Sequence, residues 1–381
     1  MNQDKITILY LCSDSSLGGS TQSLFNLINS VKEYVTPVVL VTQQGPAYDL
    51  FVKEGVECYV YPFLKLYELY KLSFVDFIQH PWRWHIVKKM RFDYGCRKFV
   101  KKKFKDRNID IVHSNTSPMD IGVSLAKLLK AKHIWHIREF CDLHFNFNIY
   151  KGIPRLRNLI NSADSRIAIS SAIKEHWQLK DDCTWIINDA IRSVNDVCYK
   201  EKKEKYLMFC SYYLTEAKGT RNAIISFAKS AVAKDGFVLK LIGNCSDEYR
   251  TSLLETIEQL NIKKNVEFVP CQKDVKHYLS EATAYIMSSV SEGLGRVTGE
   301  AMFYGCPVIA HASGGTLDLI QDGITGYLFE NEDQCAQLIQ HVCYENQTIV
   351  IQNAQKYAMD HLSEEVYGNK IMEVYKKTLS I

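Results

Sequence analysis

Apolar residues along this chain gather in short β-branched runs separated by longer stretches of helical spacing. Ile6–Leu11, Pro37–Val41, Glu57–Tyr61, Ile109–His113, His133–Ile137 and Arg166–Ile169 read as strands, with helices at Thr21–Val31, Met119–Leu129 and Ser171–Gln178. Strand, crossover helix, strand is the pattern of a parallel sheet covered on both faces. The charged stretch Val197–Lys205 has no face to bury and breaks the alternation, which then restarts. Strands follow at Tyr206–Cys210, Val238–Ile242, Val266–Val269, Ala284–Met287 and Val308–Ala310, with helices at Thr220–Val232, Glu248–Leu260 and Thr298–Tyr304. The fold class is therefore α/β, two Rossmann-like doubly wound domains over residues 1–196 and 197–362. An amphipathic helix over 363–381 is expected to pack back toward the first domain. Ligands of such sheets sit at the carboxyl ends of strands, so the tandem predicts an interdomain cleft.

Composition narrows this little. The chain has 381 residues, 46% hydrophobic and 23% charged, an ordinary globular balance that excludes a disordered chain. A net charge of +3 names no partner. Twelve cysteines at irregular spacings, without Cys-x-x-Cys or a zinc-ligand pattern, read as free thiols in a reducing cytoplasm. The N-terminal apolar run is too short for a signal peptide, and no run of eighteen apolar residues spans a membrane.

The candidate chemistry lies in the second half. Ser291-Glu292-Gly293-Leu294-Gly295-Arg296-Val297-Thr298-Gly299-Glu300-Ala301-Met302 follows a strand and opens a helix. Gly293 and Gly295 let backbone approach a ligand, and the amides of a helix start favour an anion such as a diphosphate. Glu292 and Glu300 are acceptors suited to paired hydroxyls of a ribose or a sugar ring. Gly305, Cys306-Pro307, the strand Val308–Ala310, Ser313-Gly314-Gly315-Thr316 and Asp322-Gly323-Ile324-Thr325-Gly326 continue the block.

Residues 288–329 resemble the donor-binding block of retaining GT-B glycosyltransferases, the large family numbered four. That family carries Glu-x7-Glu within Glu-Gly-Phe-Gly-Arg-Val-x-x-Glu-Ala-Met, followed by Gly-x-Pro-Val-Ile-Ala and a Gly-Gly turn; here Leu294 replaces Phe. The resemblance implies that Glu292 contacts the donor sugar and Glu300 the nucleotide ribose. Lys218-Gly219 stands where many members have Lys-Gly, implying a phosphate contact for Lys218. Tyr212 occupies the place of the usual arginine, so the second phosphate contact is expected from Arg296 or Arg221. Gly18-Gly19 resembles the family's N-terminal glycine loop. Trp135-His136-Ile137-Arg138-Glu139 ends a strand where a family histidine faces the donor sugar, implying His136, with Arg138, Glu139 and His113 as further candidates. Gly243-Asn244 and Val269-Pro270-Cys271-Gln272 fall where the base pocket forms.

The resemblance thus implies a hexosyltransferase-type enzyme with Glu292, His136 and Lys218 as candidate catalytic residues. Gly18, Gly19, Lys218, Gly243, Cys271, Glu292, Gly293, Leu294, Gly295, Arg296, Val297 and Glu300 would bind the donor. No cofactor is expected beyond a nucleotide-diphosphate sugar, a UDP-sugar ahead of a GDP-sugar. No Asp-x-Asp pair occurs, so metal-independent action is expected. Residues 82–107 hold eleven Lys/Arg against two acidic residues, with Trp82, Trp84, Phe92, Tyr94, Phe99 and Phe104 interleaved. Trp84, Val87, Met90 and Tyr94 suggest a helical stripe, a candidate contact with anionic membrane for a peripheral protein at the inner face of the cell membrane. A glycan or lipid-linked acceptor in bacterial surface polysaccharide assembly is the family-level expectation, and nucleic acid is not expected as a partner. The alternatives are a nucleotide-sugar 2-epimerase and a catalytically silent nucleotide-sugar-binding subunit.

Overall fold

The structure, a computed structural model, describes residues 5–65, 83–145, 149 and 152–381. It divides into two compact units, residues 1–190 with 367–381, and residues 191–366. The charged stretch Val197–Lys205 thus lies inside the second unit, past the point where the chain leaves the first.

The first unit holds seven strands: β1 (Ile6–Cys12), β2 (Val35–Val41), β3 (Glu57–Val60), β4 (Ile111–Ser114), β5 (Lys132–Ile137), β6 (Ser165–Ala168) and β7 (Thr184–Ile186). They form one parallel sheet in the order β3-β2-β1-β4-β5-β6-β7. Alternation along β1 sends Ile8, Tyr10 and Cys12 into one core and Leu9 and Leu11 into the other. The first core is covered by the helix Gly19–Val31 and by the C-terminal helix Glu364–Leu379, which supplies Tyr367, Ile371, Val374 and Tyr375. The second is covered by the helices Arg83–Lys103 and Ile121–Leu129.

The helix Arg83–Lys103 divides its aromatic and apolar residues differently from a single surface stripe. Cys96, Val100 and Phe104 are buried and Phe99 packs against them, while Met90 and Tyr94 are 65% and 63% exposed. Phe99 stacks on Tyr61, and Phe99 and Phe104 both meet Tyr59 edge to face. Lys89 is buried between Asp93 (2.9 Å) and Asp120 (2.8 Å), so this cation is satisfied internally. Trp82 and the side chains of Trp84 and Val87 lie outside the described residues. Among the described residues no helix is long and apolar enough to cross a membrane.

The second unit holds β8 (Glu204–Tyr213), β9 (Val238–Asn244), β10 (Val266–Val269), β11 (Ala282–Met287), β12 (Val308–His311) and β13 (Tyr327–Phe329), parallel in the order β10-β9-β8-β11-β12-β13. Its core gathers Leu207, Phe209, Leu239, Leu241, Ala284, Ile286 and Ile309 from the strands, and Ile224, Phe227, Leu253, Ile257 and Ile339 from the helices. Both sheets are doubly wound, reversing order between β1 and β4 and between β8 and β11, where such sheets open a crevice beyond the strand ends.

Candidate functional site

The loop leaving β8 carries Lys218, and the loop leaving its neighbour β11 carries Glu292. Thr215 caps the short turn Glu216–Lys218, its hydroxyl accepting from the Lys218 amide. Gly219 closes that turn at φ +74°, so near Ser288 that a Cβ there would overlap the Ser288 carbonyl. The Ser288 hydroxyl donates to the Gly219 carbonyl at 2.7 Å, which fastens the two loops together. Lys218 Nζ then lies 2.9 Å from Glu292 Oε2, both side chains part-exposed.

A second turn carries the Glu292 loop from behind. The Gly315 amide donates to the Glu292 carbonyl at 2.8 Å. A Cβ on Gly314 would stand 2.5 Å from that same oxygen, and one on Gly315 would overlap the Gly293 carbonyl. Ser313-Gly314-Gly315 is therefore glycine-rich for want of space. Gly295 (φ +86°) caps the helix Arg296–Phe303 and offers no side chain to its first amides. Uncapped amides of this kind, with the helix dipole, favour an anion. In the same unit the hydroxyls of Ser289, Thr298 and Thr316 are buried without a partner, and Thr298 lies on this helix beside Gly295.

Glu300 lies on the same helix, only 9% exposed. Its Oε1 accepts from Arg192 Nη2 at 2.8 Å, and Arg192 Nε donates to the Tyr304 hydroxyl at 2.6 Å. Burial raises the Glu300 carboxyl above its ordinary range; Arg192 and Arg296 oppose that, and Asp274 adds to it.

The other expected residues fall in varied settings. Arg296 is the first residue of its helix, two positions before the expected start. Leu294 is 3% exposed, so its side chain packs and only its backbone faces the loop; Val297 is half-buried. Arg221, an expected candidate for the second phosphate contact, is held by Glu216 (3.1 Å), Ser252 (2.9 Å) and Thr256. Tyr212 is 76% exposed. Gly243 is half-buried at the end of β9, where a Cβ would overlap the Ser211 carbonyl, and Cys271 follows β10, half-buried.

In the first unit Gly18 caps the helix that starts at Gly19, again with no side-chain cap. Asp14 shapes the turn before it, accepting from the Ser16 amide (2.9 Å) and hydroxyl (2.8 Å). His136 and His113 do not stand on a surface: both are fully buried. His113 Nδ1 is 3.1 Å from the Tyr375 hydroxyl, which is 3.1 Å from that of Tyr10. His136 Nδ1 is 3.3 Å from Arg138 Nη2, and Arg138 pairs with Asp189, which accepts from Ser23 (2.8 Å). Burial, then the Arg138 charge, push both imidazoles well below their usual range, so both are neutral. Glu139 accepts from the Ser117 amide and hydroxyl, each at 3.0 Å.

Sequence reading missed Arg192, Asp189 and Tyr375, because each gains its partner from a segment remote in the chain. Among the described residues no three His, Cys, Asp or Glu side chains gather as a metal-binding group, and all twelve cysteines are free.

Comparison with known proteins bears on this geometry. Residues 195–357 match the family described as Glycosyl transferases group 1. An uncharacterized glycosyltransferase of Haemophilus influenzae is 24% identical over 331 residues, covering 81% of this chain and 91% of that protein. The N-acetyl-alpha-D-glucosaminyl L-malate synthase of Bacillus anthracis is 27% identical over 304 residues, 75% of this chain and 78% of that one. The crystal structure of Anabaena HepE in complex with UDP and glucose superposes with a TM-score of 0.77 at 18% identity, over 98% of this chain and 100% of the other. Residues 195–357, which hold Lys218, Glu292, Arg296 and Glu300, thus match the glycosyl transferases group 1 model, and the chain's two Rossmann-like units have the fold of GT-B glycosyltransferase structures.

Proposed function

We propose that this protein is a retaining, metal-independent hexosyltransferase of family four that moves a sugar from a nucleotide-diphosphate donor to a glycan or lipid-linked acceptor. The observation that carries the reading is the meeting of Lys218 and Glu292 at 2.9 Å, beside a helix start whose amides have no side-chain cap. A cation, a hydrogen-bond acceptor and amides without a side-chain cap at one strand-order reversal suit a sugar diphosphate. Lys218, Arg296 and the Arg296–Phe303 dipole stabilise the negative charge that grows on the departing diphosphate. The acceptor hydroxyl oxygen bonds to the anomeric carbon on the face the diphosphate leaves. The bond from that carbon to the phosphate oxygen breaks with its electron pair on the phosphate, which takes the hydroxyl proton. Glu292 orients the sugar and Glu300 the ribose.

A UDP-sugar is the preferred donor assignment, in keeping with the UDP and glucose bound by the Anabaena protein. Arg91, Lys98 and Lys101 share an exposed face of the helix Arg83–Lys103 with Met90 and Tyr94. That face suits an anionic bilayer, so the acceptor is assigned to the first unit and the enzyme to the inner face of a bacterial membrane, in surface polysaccharide assembly. His136, neutral and enclosed, contributes through the placement of Arg138 and Asp189.

A thermal-shift screen against UDP, GDP, ADP and their sugars tests the donor. A ligand that binds only the native state raises the melting temperature, by about 2.7 kcal/mol of stability at a hundredfold excess over Kd. No shift with any of them would end the reading. Activity lost to a chelator and restored by Mn²⁺ would end the metal-independent part alone.

A further inference from the structure

The chain enters the second unit at Ile191 and leaves it at Val366. These two crossover segments are tied to each other. The Ile191 amide donates to the Leu362 carbonyl at 2.9 Å, the Glu364 amide to the Arg192 carbonyl at 3.1 Å, and Arg192 bridges in parallel with Ser363. The pair also lies directly on the helix that opens the candidate site. Ile191 presses against Gly299, where a Cβ would stand 2.8 Å from Ile191 Cγ1, which accounts for a glycine in mid-helix. One residue on, Arg192 reaches Glu300 at 2.8 Å and Tyr304 at 2.6 Å. The guanidinium carbon is 6.0 Å from the Tyr304 ring centroid.

Glu300 is therefore not simply a carboxylate on a helix. One of its oxygens is claimed by a part-buried guanidinium fixed at both ends, through its own backbone to Glu364 and through Nε to Tyr304. Arginine's planar fork fixes direction as well as charge, which an ammonium does not. With Oε1 committed, Oε2 is the oxygen left to accept from a ligand.

We propose that Arg192 is a positioning residue: it aims the free oxygen of Glu300 at the ribose hydroxyls of the donor nucleotide and thereby sets the enzyme's preference for a ribose diol. The inference rests on the proposed role of Glu300. It fastens the nucleotide-reading carboxylate to the segments through which the chain enters and leaves the second unit.

The test compares binding of UDP and GDP with binding of their 2′,3′-dideoxy analogues by calorimetry, on the full chain. A site built to hydrogen-bond a hydroxyl rejects an analogue lacking it strongly, so the wild type is expected to favour the ribose form by about tenfold or more. Arg192→Met, which keeps length and loses the fork, narrows that ratio to below about threefold, and Arg192→Lys restores it in part. Tyr304→Phe keeps the ion pair, releases Nε and gives an intermediate ratio. It also serves where Arg192→Met folds poorly by circular dichroism. Glu300→Ala loses the preference, and adding Arg192→Met to it changes nothing further.

Arg192→Met and Tyr304→Phe both keeping the wild-type ratio, while Glu300→Ala loses it, would overturn the proposal and leave the ribose role of Glu300 standing. Glu300→Ala keeping the ratio would overturn both, as would failure of both nucleotides to bind. A uniform loss of affinity for both members of a pair in Arg192→Met would mark a merely structural residue and overturn the proposal.

Discussion

Lys218 Nζ stands 2.9 Å from Glu292 Oε2, each charge answering the other across loops that leave neighbouring strands. The pair is part-exposed, so its own contribution to stability is small, below about 1 kcal/mol. Its worth lies in holding a cation and an acceptor at one place. Lys218→Met and Glu292→Gln are each expected to keep the wild-type melting temperature to within a few degrees and to lower turnover by about a hundredfold, the scale of losing one preorganised electrostatic contact. Steady-state rates with a saturating donor check this. Wild-type turnover in both variants would remove the pair from the site.

The turn behind that loop makes a sharper structural demand. A Cβ on Gly315 would overlap the Gly293 carbonyl, and backbone atoms on either side cannot step aside as a flexible side chain can. Gly315→Ala is expected to destabilise the protein by about 2 kcal/mol, as overpacking does, and to weaken donor binding together with stability. Gly19→Ala is the control. Nothing lies within 4 Å of a Cβ there and the position starts a helix, so stability is expected to hold or rise. Urea melts of the two variants compare them directly.

These positions show what a sequence can and cannot tell. The buried strands were legible because Ile8 to Leu11 is an unbroken apolar run and Val238 to Ile242 is apolar at every position but Lys240. β7 and β13 were not, being three-residue edge strands whose pattern is too short to stand out. The helix Glu332–Tyr344 went unread although Asn331 caps it through the Gln334 amide and Glu332 and Asp333 open it. At the site, the Gly-Gly turn, the helix start and the two glutamates are local and were visible. The Arg192–Glu300 pair was not, since its partners lie 108 positions apart and only the fold joins them. The enclosure of His136 was equally hidden, because Asp189 lies far along the chain from the strand end that drew attention to the histidine.

Three buried histidines give the first unit a definite response to acid. Burial pushes His133 down to about 4 and holds His113 and His136 well below 6.5. A group whose folded pKa is depressed in this way binds its proton more readily unfolded. The linkage therefore favours the native state fully above pH 6.5, and that advantage drains away as pH falls toward the folded pKa. Each histidine still neutral at pH 5 forfeits about 2 kcal/mol by then. The buried Glu139 and Glu300 carboxyls, both raised, run the other way, gaining stability as pH falls. Differences between variants isolate the histidines. His133→Gln is expected to flatten the fall of the urea midpoint between pH 7.5 and 5.0. A slope unchanged from the wild type would place the acid sensitivity elsewhere.

The exposed face of the helix Arg83–Lys103 makes the membrane assignment testable. Arg91, Tyr94, Lys98 and Lys101 recur at helical spacing, with Met90 alongside, while Cys96 and Val100 hold the opposite side in the core. Each cation near an anionic surface contributes about 1 kcal/mol, so the triple change Arg91→Gln, Lys98→Gln, Lys101→Gln should weaken binding by about a hundredfold. Because these side chains are exposed and the core side is untouched, the triple variant should melt like the wild type. Flotation with phosphatidylserine-containing vesicles is expected to carry the wild type upward at low salt and release it at high salt. The variant should stay at the bottom, as the wild type should with neutral vesicles. Met90→Ala with Tyr94→Ala should lower flotation while leaving its salt dependence, since it removes apolar contact and not charge. Wild-type protein that fails to float on anionic vesicles at low salt would take the bilayer out of the proposed function and leave the donor chemistry as it stands.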